Sequence, residues 1–299
     1  MVEELLDSQE LGFFGTTIVF LIVGLIGNVF VIRIVHKTRD MHTPTNYLLA
    51  NMAVSDVMSI SLWPLNFFEF GKIACKFLAL TEISITVSSV TLTVLAVERY
   101  HAILKPFRTG LRLREENSKL AIACIWITSV IICFPELIFK DWNETYSTCI
   151  GPWTLVMTEA SKVYVMINIS VTFVQMAVMF YCYGSLIRGL YFTNTVCSET
   201  VGERSEKKKL VITLLLATSG FFIGYAPTVS CYTFFATRDV NDIDSSLFYA
   251  LSNVADCIFA VSLCCNPILY AFRSKKFREG FKRIIICQKR TSQNEIQLQ

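Results

Sequence analysis

Charged side chains are scarce in this chain. Asp, Glu, Lys and Arg make up 17% of its 299 residues, against roughly 25% in ordinary soluble domains. Histidine is scarcer still, with three in all, and nowhere do His, Cys and carboxylates fall at metal-ligand spacing. A glycine-rich phosphate loop is absent. An enzymatic site therefore has little to stand on. The short alternating segments that build a membrane β-barrel are also missing. No internal repeat marks a secondary transporter, and neither a filter-like stretch nor a row of charges along one span marks a channel. The opening MVEELLDSQE is acidic without a base, which argues against a cleaved signal peptide; the first apolar run is expected to act as the targeting signal. The eleven cysteines fall mostly inside apolar runs, where they read as small buried hydrophobes rather than as a disulfide framework.

What is abundant is apolar, 53% of the chain, gathered into runs of about twenty residues, each long enough to cross a ~30 Å hydrocarbon core as a helix. Spans are expected near 12–35, 46–68, 76–100, 119–138, 161–187, 208–235 and 247–271. The fold class is an all-α membrane protein, a seven-transmembrane helix bundle. A tail (1–11) precedes it, and 272–299 supplies an amphipathic interfacial helix and a carboxyl-terminal tail. In that last segment Phe277, Phe281 and Ile284 alternate with Lys276, Arg278 and Lys282 at helical spacing. The third span opens with Thr81-Glu82-Ile83-Ser84, and the seventh carries Asn253, Asp256, Asn266 and Pro267. Such residues are costly in lipid unless they face the interior of a bundle.

Charge sets the orientation. Lys37 and Arg39 lie between spans one and two, Lys105, Arg108, Arg112 and Arg114 between three and four, and Arg204 and Lys207 before the sixth. The other side carries an acidic amino-terminal tail and Asp239, Asp242 and Asp244. The positive-inside rule then puts the amino terminus outside and the carboxyl terminus in the cytoplasm of a multi-pass plasma-membrane protein. In the outer loop before span five, Asn143-Glu144-Thr145 is a glycosylation sequon. Cys287, just past the interfacial helix, is expected to be palmitoylated.

From Gly27 to Cys287 the chain resembles the rhodopsin-like G-protein-coupled receptors. It carries Gly27-Asn28 in the first span, Asn51-Met52-Ala53-Val54-Ser55-Asp56 in the second, and Cys75 and Glu98-Arg99-Tyr100 at the two ends of the third. Trp126, Tyr183, Phe221 and Pro227 follow in spans four to six, and Asn266-Pro267-Ile268-Leu269-Tyr270 closes the seventh. The resemblance implies a receptor, not an enzyme, that binds an extracellular ligand and activates a heterotrimeric G protein. Receptor kinase and arrestin are further implied partners; nothing points to nucleic acid.

It also implies roles. Glu98 holds Arg99 at rest, and Arg99 meets the G protein on activation. Tyr100, Tyr183, Phe221, Tyr225, Pro227, Asn266, Pro267 and Tyr270 belong to the switch, with the two prolines permitting kinks. Cys75 and Cys149 form an outer disulfide. Asp56 with Asn28, Ser88, Ser262 and Asn266 resembles the family's sodium pocket, for which oxygen ligands are suited; a hydrogen-bond network without the ion is the alternative. No other cofactor is implied.

The match departs from the family pattern in places. Gln175 stands where proline is usual, Gly224-Tyr225-Ala226-Pro227 replaces Cys-Trp-x-Pro, and Lys207 occupies the position of an acidic lock partner for Arg99. Such a lock is expected to be absent and basal signalling raised. Ala260 stands at the retinal-lysine position, against a light receptor. For the ligand site, counting from Arg99 gives Thr81 and counting from Cys75 gives Glu82, which would pair with a cationic group. The stretch Glu98–Pro106 looks most like peptide receptors, and the acidic outer surface suits a basic peptide. An amine or lipid receptor, or a receptor-like protein without signalling, remains the alternative.

Overall fold

The structure, a computed structural model, describes residues 2–63, 65, 71–105, 113–144, 148–151, 159–192, 201–236 and 245–283. Seven long helices run α1 (Val2–Lys37), α2 (Pro44–Leu62), α3 (Gly71–Leu104), α4 (Glu115–Ile132), α6 (Glu159–Ile187), α7 (Val201–Ala236) and α8 (Ser245–Arg273). Between α4 and α6 lie a one-and-a-half-turn helix α5 (Phe134–Phe139) and two strands, β1 (Asp141–Asn143) and β2 (Thr148–Ile150). A last helix, α9, covers 275–283.

Five of these helices are apolar and long enough to cross a membrane on length and composition alone: those of α1, α3, α6, α7 and α8. The reason α2 falls short is visible in its packing. Asn51, Ser55, Asp56 and Ser59 are all buried, so polarity that would be expensive in lipid is spent on the interior. Helix α4 starts with Glu115 and Glu116 at its amino-terminal turn, where the helix dipole favours acids. The outward faces carry Val19, Ile22 and Ile26 on α1, and Phe173, Val174 and Phe180 on α6, as a lipid solvent requires.

Helix bounds differ from the sequence expectation in several places; α7 starts at Val201 rather than near 208, and α3 covers Gly71–Leu104 rather than 76–100. Helix α1 begins at Val2 rather than near 12. Helix α2 ends at Leu62, short of 68; Trp63 still has α dihedrals and its N–H bonds Ser59 O, but Pro64 after it has no N–H to give the next bond. The fourth helix stops at Ile132, and the chain restarts at Phe134 with Pro135 in the first turn of α5, where a missing N–H costs nothing.

Helix α3 runs through the middle, packed on α2, α4 and α6, while α1 packs on α2 and α8, and α7 on α8. Among the described residues α6 and α7 approach each other at few points. Close approach of α1 and α8 depends on Gly27: a Cβ there would stand 2.7 Å from Pro267 Cγ. The α2–α3 seam is polar. Asn51 Nδ2 donates to Thr91 Oγ1 at 2.9 Å, Ser55 and Ser88 hydroxyls pair at 2.7 Å, and Ser59 and Ser84 at 2.6 Å. The four-residue spacing on α2 meets the matching face of α3, so each rung satisfies polar groups that lipid cannot.

Candidate functional site

Two regions gather the polar residues, one at the Arg99 end of the bundle and one towards the end that carries Cys75. Between them lies Asp56, 1% exposed. Its Oδ1 accepts from Ser88 Oγ at 3.0 Å and its Oδ2 from Asn266 Nδ2 at 3.1 Å, so α2, α3 and α8 meet on one carboxylate. Asn28 and Ser262 are buried as well, but make their hydrogen bonds elsewhere. Asn28 Nδ2 donates to the Gly24 and Leu263 carbonyls, and Ser262 Oγ donates to Phe259 O at 2.7 Å. Asn28 Oδ1 is buried without a hydrogen-bond partner. Asp56, Ser88 and the Asn28 amide oxygen are each hard donors of the type a small cation takes, but neither Asn28 nor Ser262 hydrogen-bonds to the Asp56 carboxylate.

At the Arg99 end, Arg99 Nε is paired with Glu98 Oε2, and Glu98 is 4% exposed against 16% for Arg99. Thr45 of α2 donates to the same Glu98 oxygen at 3.2 Å. Tyr100 is buried; its hydroxyl meets that of Tyr181 at 3.4 Å, and Lys105 Nζ lies 4.8 Å from its ring centre. Tyr183 of α6 is 3% exposed and shares a hydrogen bond of 3.2 Å with Thr218 of α7. Tyr270 is 2% exposed, its ring tilted against Phe277 of α9 at 5.6 Å, and its hydroxyl has no hydrogen-bond partner. Glu206, beside Lys207, accepts from Lys209 on its own helix at 3.2 Å.

The middle of α7 holds Pro227 inside the helix, and α8 holds Pro267 likewise. Phe221 is buried and stacks on Tyr225 at 5.9 Å; Tyr225 in turn meets Phe259 of α8 at 6.2 Å. Glu82 and Asp256, both half-buried, interact electrostatically from α3 and α8, and Tyr225 lies within the field of Glu82. Thr81, by contrast, is 7% exposed with its hydroxyl unpartnered.

The Cys75 end is closed by a covalent bond and by hydrogen bonds. Cys75 is bonded to Cys149, with Cα atoms 5.4 Å apart. Cys149 sits on β2 opposite Trp142 of β1, so the bond fastens an antiparallel hairpin to the start of α3. Lys76, the next residue, donates to the Leu137 and Ile138 carbonyls at 3.1 and 2.9 Å, which satisfies the last turn of α5. Asn143 ends β1, while Thr145 of its sequon lies outside the described residues, as do Ile284 and Cys287. In α9, Phe277 is buried and Lys276, Arg278 and Lys282 are exposed.

Sequence reasoning missed Thr45, Thr218 and the Ser59–Ser84 rung, and noted Asp256 only for its cost in lipid. A hydroxyl in a membrane helix gives no local signal of whether it bonds its own backbone or a neighbour.

A family model described as 7 transmembrane receptor (rhodopsin family) matches residues 27–270. The chain belongs to this family. The receptor is 28% identical to somatostatin receptor type 5 of Bos taurus over 283 residues, covering 89% of this chain and 74% of that protein. It is 26% identical to G-protein coupled receptor 54 of Oreochromis niloticus over 292 residues, 88% of this chain and 75% of the other. With the [Phe13]-bombesin receptor of Bombina orientalis it shares 26% over 302 residues, 92% and 76%. The receptor is therefore a multi-pass membrane protein of a non-catalytic signalling family, with relatives named for peptides.

Proposed function

We propose that this receptor binds a short peptide bearing a cationic group, in the half of the bundle nearer the Cys75–Cys149 bond, and activates a heterotrimeric G protein at its Arg99 end. The observation that carries the ligand reading is that two half-buried carboxylates on different helices, Glu82 and Asp256, lie within electrostatic range of one another, with Tyr225 in range of Glu82. Two carboxylates on different helices, neither with a hydrogen bond or ion pair to another described residue, are left for a positive charge from outside the chain. Relatives named for somatostatin, bombesin and allatostatin-A favour a peptide over a free amine.

In this reading α3 carries the ligand contact (Thr81, Glu82) and the coupling residue Arg99 on one rigid element. The stack of Phe221, Tyr225 and Phe259 lies between, below the kink site Pro227. Tyr183, Asn266, Pro267 and Tyr270 supply the moving contacts, and Glu98 holds Arg99 until the G protein docks. A sodium ion, where bound, would be held by Asp56 and Ser88 with Asn28 Oδ1, and would supply a compact positive charge to the buried carboxylate. The amino terminus then faces outward and the carboxyl terminus the cytoplasm, where receptor kinase and arrestin act. Asn143 is glycosylated on the outer hairpin and Cys287 palmitoylated beyond α9. The chain divides into a tail (1–11), the bundle (12–271) and a cytoplasmic segment (272–299).

The test is a G-protein dissociation assay covering all four G-protein classes, with the intact chain beside Arg99→Ala at matched surface expression. Pools of amines, lipids and short peptides are applied to each. Activation by a basic peptide, abolished in Arg99→Ala and weakened at least tenfold in potency by Glu82→Gln or Asp256→Asn, is the expected result. Activation by a peptide that ignores both carboxylate substitutions would sink the ligand reading. Silence from well-expressed protein under every pool would shift the reading to a receptor-like protein without signalling.

A further inference from the structure

The family's usual acid at position 207 is a lysine here, and its neighbour Glu206 is engaged by Lys209 of the same helix. Arg99 is paired with Glu98, its neighbour on α3. The ion pair that would tie α3 to α7 at this end therefore has no acid at 207 to form it. Yet α7 does carry a cross-helix tie one helical stretch further in, the hydrogen bond between Tyr183 and Thr218.

Threonine within a helix ordinarily returns its hydroxyl to the carbonyl four residues back. Thr213, on the same helix, does so, donating to Lys209 O at 2.7 Å, and so do Thr91 on α3 and Thr172 on α6. Thr218 instead reaches across to α6, although 6% exposed and deep in the bundle. The few points of approach between α6 and α7 among the described residues leave little else to hold the two together there. Meanwhile Tyr270 on α8 keeps a buried hydroxyl with no partner, an arrangement that costs free energy for as long as it lasts.

We propose that the Tyr183–Thr218 hydrogen bond is the latch that holds α7 against α6 at rest, with Thr218 as the positioning residue for Tyr183. The latch takes the place of an inter-helix ion pair. Release frees the Tyr183 hydroxyl for the unpartnered Tyr270, so one hydrogen bond is exchanged for another and α7 alone has to move. This inference deepens the receptor reading and rests on it for its consequence, but the latch itself is a property of the helix packing. A neutral hydrogen bond of ordinary strength sets its effect at about fivefold in the resting equilibrium.

The experiment is a distance measurement on the purified full chain in lipid nanodiscs, without ligand or G protein. Spin labels are placed at the exposed residues Glu206 of α7 and Glu116 of α4 as cysteines, with the exposed Cys124→Ser. Thr218→Val, which removes the hydroxyl and keeps the shape, should raise the longer-distance population about fivefold. Thr218→Ser should restore the parent distribution. Tyr183→Phe, which loses the latch and the exchange bond to Tyr270 together, should raise the longer-distance population less than Thr218→Val does, and the double variant should match Tyr183→Phe alone. A Thr218→Val distribution like the parent, a Ser variant like the Val variant, or additive effects in the double variant would each overturn the latch. Because no G protein enters this measurement, a shift in distance with silent coupling would overturn the receptor function and leave the latch standing. In cells, basal signalling should rise in Thr218→Val in step with the longer-distance population.

Discussion

The side-chain amide of Asn266 donates to Asp56 Oδ2 at 3.1 Å, joining the last long helix to the second through a carboxylate that is 1% exposed. Ser88 completes the acceptor's partners from α3. One acid thus ties three helices; its removal strands the Asn266 amide and leaves the Ser88 hydroxyl only Ser55 as a partner.

Asp56→Ala should therefore destabilise the purified receptor by about 1–3 kcal/mol, the cost of the buried Asn266 donor left unsatisfied. Asp56→Asn, which keeps an oxygen and the volume, should lose less than half as much. Thermal unfolding in detergent, read by exposure of buried cysteines to a thiol-reactive dye, checks the order. If sodium is held there, raising NaCl at constant ionic strength stabilises the parent and leaves Asp56→Ala unmoved.

The Cys75–Cys149 bond closes a stretch of 74 residues. Chain-entropy reasoning assigns a loop of that size about 4 kcal/mol. Cys149→Ser should lower the melting temperature by several degrees, and Cys75→Ser with Cys149→Ser should add nothing further. Additive losses would show that the cysteines contribute as separate packed side chains.

Thr45 donates to the Glu98 oxygen that also holds Arg99. Thr45→Val removes a hydrogen bond to an ionised group, about 1.5–3 kcal/mol, and loosens the Glu98–Arg99 pair. Basal G-protein activation should rise severalfold at matched surface expression, while the maximal response to ligand stays put. A fall in basal activity would mean that Thr45 supports the active arrangement instead.

Gly27 faces Pro267, and a Cβ there would stand 2.7 Å from the proline ring. Gly27→Ala should cost about 1–3 kcal/mol by forcing α1 off α8, and Gly27→Leu should prevent recovery of folded protein. Melting curves for the alanine variant and surface yield for the leucine variant decide this.

The bundle was legible in the sequence because lipid makes two demands at once. Apolar runs announce the helices, and the few polar residues inside them, Asp56, Asn266 and Asp256, announce which faces point inward. The expected fourth span ran across Pro135 to 138, so the break at Ile132 and the separate short helix after it went unread. The hairpin escaped notice, since strands of three residues have no periodicity to read. Thr45, Ser84 and Thr218 were illegible for another reason. Their partners come from other helices, and only packing decides whether a hydroxyl bonds its own carbonyl or reaches across.

The three rungs Asn51–Thr91, Ser55–Ser88 and Ser59–Ser84 have a mechanical meaning. Each contributes about 0.6–1 kcal/mol in a membrane setting, but sliding or turning α3 against α2 breaks all of them in one motion. The pair behaves as a keel: stiff along its length and costly to shear. Motion at the Arg99 end is thereby steered to the opposite flank of the hull, where the described residues of α6 and α7 approach each other at few points.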